Sequence, residues 1–211
     1  MAVNADGTAR VARAAENAGA RLMYISTDYV FDGRKRSPYD ETDEPKPLNA
    51  YGRSKLEGER HAVASCKHTL VVRTSWLYGP HGANFVKSIM RFARERSELH
   101  VVDDQRGSPT HAGDLASVLA QLVKRNIDGI AHATGGGECT WHEFASEIVA
   151  RMGVTIPVRP ISTADANRLA VRPAYSVLGN RVLAQEGLSI PHWKSALARF
   201  VEEQKKAASE A

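Results

Sequence analysis

The stretch Arg21-Leu22-Met23-Tyr24-Ile25-Ser26-Thr27 is a short, nearly continuous apolar run held between Gly19 and Asp28, and its reading decides the fold class. Such a run predicts a strand buried on both faces of a parallel sheet, with a neighbour on either side. Upstream, Val3, Thr8, Val11, Ala12, Ala15 and Ala18 recur at helical steps from Met1 onward, and Gly19 follows as a natural stop. That helix begins with no room for a cap or a preceding strand. Downstream, residues 32–49 hold Gly33, Pro38, Pro45 and Pro47 and read as a long loop of the kind that carries function. A helix over 51–65, a strand over 69–74, a helix over 85–96 and a strand over 99–102 follow. This alternation argues for a parallel α/β sheet.

From residue 105 the character changes. Gln105-Arg106-Gly107-Ser108-Pro109-Thr110 is a turn-rich connector, and a helix over 112–124 and a strand over 129–133 come next. Gly135-Gly136-Gly137 reads as a structural turn, since it lies far from the first strand, where a dinucleotide-binding glycine loop belongs. Thr140 and Glu143 have the spacing of a capping box for a helix to about residue 152. On that helix Trp141, Phe144 and Ile148 read as core. A last strand over 156–161, an irregular or helical stretch over 164–172, helices over 180–186 and 193–204 and a frayed tail from Lys205 complete the pattern.

Composition narrows the function classes. The 211 residues are 43% hydrophobic and 25% charged, as in ordinary soluble globular proteins. The net charge of +4 is scattered among acids, with no basic tail or arginine-rich face, so no nucleic-acid partner is expected. The mild basicity suits an anionic small molecule. No apolar run approaches the roughly 18–20 residues of a membrane span. Cys66 and Cys139 have no metal-ligand or redox spacing and read as reduced thiols of a cytoplasmic protein. No His-x-x-x-His pair occurs, so no metal is expected.

One spacing carries chemistry. Tyr51 and Lys55 lie four residues apart and share a helix face, which sets a cation beside a phenol and favours the phenolate. Ser26-Thr27-Asp28 ends the first strand, where open α/β sheets bind ligands. A hydroxyl, a phenol and an ammonium converging on one carbonyl oxygen are equipped to protonate an alkoxide as hydride arrives.

The blocks Ser26-Thr27-Asp28-Tyr29-Val30-Phe31-Asp32-Gly33, Pro47-Leu48-Asn49-Ala50-Tyr51-Gly52-Arg53-Ser54-Lys55 and Arg73-Thr74-Ser75-Trp76-Leu77-Tyr78-Gly79 closely resemble the dTDP-4-dehydrorhamnose reductases, which are extended short-chain dehydrogenases/reductases. Asp104-Gln105-Arg106-Gly107-Ser108-Pro109-Thr110 and Arg172-Pro173-Ala174-Tyr175-Ser176 continue the likeness. The resemblance implies a partial doubly wound, Rossmann-like parallel sheet. Residues 1–104 would be the later part of that domain and 105–211 mainly a sugar-nucleotide substrate-binding region, the two interleaving. It implies reduction of the C4 keto group of dTDP-4-dehydro-6-deoxy-L-mannose to dTDP-L-rhamnose by NADPH or NADH.

Thr27, Tyr51 and Lys55 match the family's catalytic triad, with Lys55 expected to bind the nicotinamide ribose and depress the Tyr51 pKa. Asn4, Ser26, Thr74 and Ser75, together with Tyr51 and Lys55, would face the cofactor. Asp28, Tyr29, Trp76, Asn84, Gln105, Ser108 and Arg172 would face the nucleotide sugar. In this family a first strand and a Gly-x-x-Gly-x-x-Gly loop come ahead of the position of Met1. The expectation is therefore a chain lacking the N-terminal dinucleotide-binding part, with apolar sheet and helix surface left open to association, for instance as a homodimer. The alternative is a non-catalytic sugar-nucleotide-binding or regulatory fragment, or another nucleotide-sugar reductase or epimerase.

Overall fold

A computed structural model describes residues 1–209. A π-helical turn, Ala2–Gly7, runs into helix α1, Thr8–Asn17, and Gly19 follows with φ +62°. Strand β1, Leu22–Thr27, ends in a 3-10 turn, Asp28–Val30, and a long loop leads to α2, Ala50–Ser65. Strand β2, Thr69–Thr74, is buried along its whole length. The short β3, Leu77–Tyr78, precedes α3, Phe85–Glu95, and β4, Leu99–Val102. Then come β5, Arg106–Gly107, β6, Thr110–His111, α4, Ala112–Val123, and β7, Gly129–His132. The chain closes with β8, Cys139–Thr140, α5, Trp141–Met152, β9, Val158–Ile161, α6, Arg181–Gln185, and α7, Trp193–Ser209.

The main sheet is parallel with the order β1-β2-β7, and its register sets Thr27 beside Thr74 at the strand ends. Side chains alternate across it. Leu70 and Val72 of β2 pack with Leu115, Val118 and Leu122 of α4 and Leu183 of α6. Tyr24, Ser26 and Arg73 point to the other face, where α2 lies with α1 packed against it. Helices on both faces make the arrangement doubly wound, and each fully buried Leu or Val contributes roughly 1.5–3 kcal/mol.

Two expectations need correction. Among the described residues β1 has one strand neighbour, not two, and Leu22–Ile25 are only partly buried, since β1 is the edge of the sheet they form. β4 does not extend the main sheet either. It pairs in parallel with β9 as a separate two-stranded unit, and β7 takes the place beside β2. β4 thus crosses from the first half of the chain into the second, and β7 crosses the other way. Around β4 and β9 a second core forms from α3, α5 and α7, centred on Phe144, Ile148, Leu197 and Phe200.

Caps define the helix starts. Asn49 accepts from the Gly52 amide at 2.8 Å, and Asn84 accepts from the Lys87 amide at 3.1 Å. Thr140 and Glu143 form the expected capping box, and Gly153 ends α5 in the left-handed region. The Gly135–Gly137 turn packs on Pro109 and His192, as a structural turn does. The expected fraying from Lys205 is corrected as far as Ser209, because α7 continues to that residue; Glu210 and Ala211 lie outside the described residues. No helix among the described residues is long and apolar enough to cross a membrane.

Candidate active site

Tyr51, Lys55 and Glu59 stand at four-residue intervals on the face of α2 that meets β1, so each reaches a different level of that strand. Gly52 permits the approach at the first level. A Cβ there would stand 2.1 Å from the Tyr29 carbonyl oxygen. Gly58 permits it further along, where a Cβ would stand 2.2 Å from both the Asn4 carbonyl oxygen and Tyr24 Oη. Backbone thus sits against backbone, and the Tyr51 ring meets Tyr29 edge to face, with centroids 6.0 Å apart.

At the strand end Thr27 Oγ1 donates to Asp28 Oδ1 at 3.0 Å and accepts from the Tyr29 amide at 3.2 Å. Tyr51 is 50% exposed. Partial burial pushes its phenol above the ordinary value, hydrogen bonding to Thr27 opposes this, and the Asp28 charge adds to it. The expected pairing of Lys55 with Tyr51 is corrected here. Lys55 Nζ donates to the Ile25 carbonyl at 2.6 Å and lies 4.1 Å from the Tyr24 ring centre, because its long stem runs back along β1. Burial lowers the Lys55 pKa, with Glu59 opposing, and the Tyr51 phenol is held up, not depressed. Tyr29 is pushed up to about 12, first by burial and then by Asp28, while Arg172 and Arg168 pull it back.

Those two arginines open onto a cavity of about 550 Å³ between α3, β4, α5 and the segment over 161–172. Phe85, Phe92 and Trp141 supply aromatic surface, and Arg96, Arg168 and Arg172 supply three guanidinium groups, with no carboxylate in the lining. Arg96 lies over the Phe92 ring at 4.1 Å, and burial and Arg172 lower the Arg168 pKa. Trp76 adopts φ +46° and stacks on Trp141 with ring centres 3.4 Å apart and planes nearly parallel. Gly107 makes room, since a Cβ there would meet the Trp76 ring at 2.4 Å. A planar base and a polyanion are the chemistry such a cavity accepts.

Several sequence-predicted residues have their side chains committed within the chain. Ser26 donates to the buried Glu59, Ser75 to the Ser108 carbonyl and Ser108 to the Gly137 carbonyl. Asn84 caps α3 while donating to the Gly79 carbonyl. Asn4 donates to Ser54 Oγ. Gln105 and Arg172 do line the cavity, although Gln105 also donates to Thr163. Thr74 Oγ1 is buried beside Thr27 with no partner. Trp141, read as core, forms part of the cavity wall, and Phe92, Arg96 and Arg168 were not anticipated. Helical spacing locates a face without saying whether protein or cavity covers it. Among the described residues no group of three or more His, Cys, Asp or Glu could hold a metal ion.

Residues 1–206 match the family described as RmlD substrate binding domain. The spore coat polysaccharide biosynthesis protein SpsK of Bacillus subtilis is 38% identical over 205 residues, which are 97% of this chain and 72% of that protein. The dTDP-4-dehydrorhamnose reductase of Sinorhizobium fredii is 42% identical, over 95% of this chain and 72% of the reductase. Among solved structures, the dTDP-4-dehydrorhamnose reductase of Bacillus anthracis in complex with NADP superposes with a TM-score of 0.92 at 42% identity, over 95% of this chain and 72% of the other. A dTDP-glucose 4,6-dehydratase of the same organism superposes with a TM-score of 0.83 at 18% identity, a likeness of fold.

Proposed function

Since the chain belongs to the RmlD substrate-binding-domain family, we propose that it is a dTDP-4-dehydrorhamnose reductase, converting the C4 ketone of dTDP-4-dehydro-6-deoxy-L-mannose to the alcohol of dTDP-L-rhamnose. NADPH or NADH supplies the hydride when bound. The observation that carries the reading is the Tyr51 phenol, half exposed at the strand end beside the Thr27 hydroxyl. A phenol held above its ordinary pKa keeps its proton at neutral pH, so it can deliver it to the C4 oxygen as the ketone becomes an alcohol. Thr27 donates a hydrogen bond to that oxygen. Trp76, Trp141 and Phe85 hold the nucleotide sugar by its flat surfaces, and Arg172, with Gln105, Arg96 and Arg168, takes the diphosphate. Tyr29 and Asp28 shape the sugar end.

The residues present fit the nicotinamide end of the cofactor. An ammonium has three protons, so Lys55 can hold Ile25 with one and a ribose hydroxyl with another. Thr74, with its unpartnered buried hydroxyl, stands beside the same strand end. No Gly-x-x-Gly-x-x-Gly run occurs in the 211 residues, so the pyrophosphate has no loop of that kind among them. This reading places the protein in the cytoplasm, in keeping with its two free, buried thiols, and as a homodimer, in keeping with the exposed Val11 and Val63.

The test is NAD(P)H oxidation with the dTDP-4-keto sugar against the same sugar already reduced at C4. Turnover with the ketone alone supports the reading. Unimpaired turnover by Tyr51→Phe would remove Tyr51 from the role of proton donor.

A further inference from the structure

Asp28 stands directly behind the hydroxyl that is asked to assist Tyr51. A hydroxyl has one proton, and that of Thr27 is committed to Asp28 Oδ1, while the Tyr29 amide occupies one of its lone pairs. Held in this way, Thr27 has a lone pair left to accept with but no proton to donate to a carbonyl oxygen. Donation is what the reaction requires of it. The carboxyl that takes the proton is itself 2% exposed, and its Oδ2 is buried with no partner.

Neighbours of Asp28 do not neutralise it. Its one side-chain hydrogen bond comes from Thr27, the Ser176 hydroxyl also favours its anion, and no guanidinium or ammonium is among the leading groups acting on it. The titratable groups that face it are the phenols of Tyr29, in the 3-10 turn, and Tyr51, on α2; Arg168 and Arg172 lie beyond, acting on Tyr29. A buried carboxyl without a cation is better accommodated in its neutral form. Accordingly burial pushes Asp28 up from 3.8 to about 6, against the hydrogen bonds that favour the anion.

We propose that Asp28 is a positioning residue whose protonation state sets the direction of the Thr27 hydroxyl. Ionised, Asp28 holds the Thr27 proton and leaves that hydroxyl an acceptor. Protonated from solvent on Oδ1, Asp28 donates to Thr27 Oγ1, and the Thr27 proton turns toward the oxygen that Tyr51 serves. One proton is taken up and one hydrogen bond reverses; no bond to carbon forms or breaks. The inference rests on the reductase reading for its consequence, and on the Thr27–Asp28 contact alone for its geometry.

The test reads the two side chains without turnover, by 13C NMR titration of the full chain labelled at aspartate and threonine. The Asp28 carboxyl carbon is expected to titrate near pH 6, and the Thr27 Cβ signal to step with the same midpoint. Asp28→Asn, whose amide donates to Thr27 at every pH, should remove the step and hold the Thr27 signal at its low-pH position. Ser176→Ala removes a hydroxyl that favours the carboxylate form, so both midpoints should move upward together. Should Asp28 titrate as an ordinary carboxylate, or the Thr27 step persist in Asp28→Asn, the proposal is overturned. Since no turnover is read, an inactive protein would sink the reductase reading and leave this result standing.

Discussion

Two places on one face of α2, eight residues apart, are built on opposite terms. At Glu59 both side-chain oxygens are taken by the Arg73 guanidinium at 2.9 and 2.7 Å, Ser26 adds a third bond, all three residues are under 5% exposed, and Arg73 Nη1 is the one polar atom of the three left without a partner. At Tyr51 the ring is half exposed, and the neighbouring Asp28 and Thr74 each keep a buried polar atom without a partner. The first arrangement fixes helix to strand. The second leaves hydrogen-bonding capacity for a ligand to complete, and Lys55, midway, holds α2 to the Ile25 carbonyl. The same helix thus separates stability from chemistry along its length.

The largest expected effect lies at the closed end. Arg73→Met leaves Glu59 buried and unpaired, which should cost about 3–5 kcal/mol in urea unfolding, whereas Glu59→Met combined with Arg73→Met should recover most of it. Equal loss in single and double variants would mean that the pair does not act as a unit. Tyr51→Phe should do the reverse, lowering kcat by roughly 10²–10⁴ while the unfolding free energy stays within about 0.5 kcal/mol. If Tyr51→Phe unfolded as easily as Arg73→Met, the division along α2 would be wrong.

Protons probe the same contrast. Burial, helped by Arg73, lowers His132 from 6.5 to about 4, so the unfolded chain binds more protons between those values. Its contribution is complete above about pH 6.5 and is lost as pH falls toward 4. Asp28, raised from 3.8 to about 6, has the opposite sign: its contribution is complete below about pH 3.8 and is lost as pH rises through 6. Each is worth about 3 kcal/mol, so they largely cancel across the shared window. Stability measured at several pH values should therefore rise more steeply from pH 4 to 6 in Asp28→Asn than in the natural protein. A parallel pair of curves would place Asp28 among ordinary carboxylates.

How far these features can be read from residues alone depends on what decides them. Local chemistry was legible: the capping box at Thr140 and Glu143, the buried run at Thr69–Thr74, and the strand end that brings Thr27 toward Tyr51. Pairing was not. The apolar run of β4 carries no mark telling it to join β9 instead of the main sheet, and β1 carries none of its single neighbour. Hydroxyl residues were legible as polar groups near a site, yet nothing in Ser26, Ser75 or Ser108 says that Glu59 and two carbonyls occupy them. Tyr-x-x-x-Lys spacing placed two side chains on one face, but the length of the lysine stem let Nζ settle on Ile25.

The smallest expected effect joins the two terms in one residue. Asn49 accepts from the Gly52 amide at 2.8 Å through Oδ1, capping α2, and its Nδ2 donates to the Val171 carbonyl at 2.8 Å, tethering the segment that carries Arg172. Asn49→Ala removes both and should cost about 1 kcal/mol of stability, the ordinary worth of such a cap. Asn49→Asp keeps an acceptor at the helix N-terminus, where negative charge is favoured, but has no proton for Val171. It should regain most of the stability and still show a KM for the nucleotide sugar raised a few-fold, because the Arg172 segment is no longer held. A KM restored along with stability would make the tether dispensable and confine Asn49 to capping.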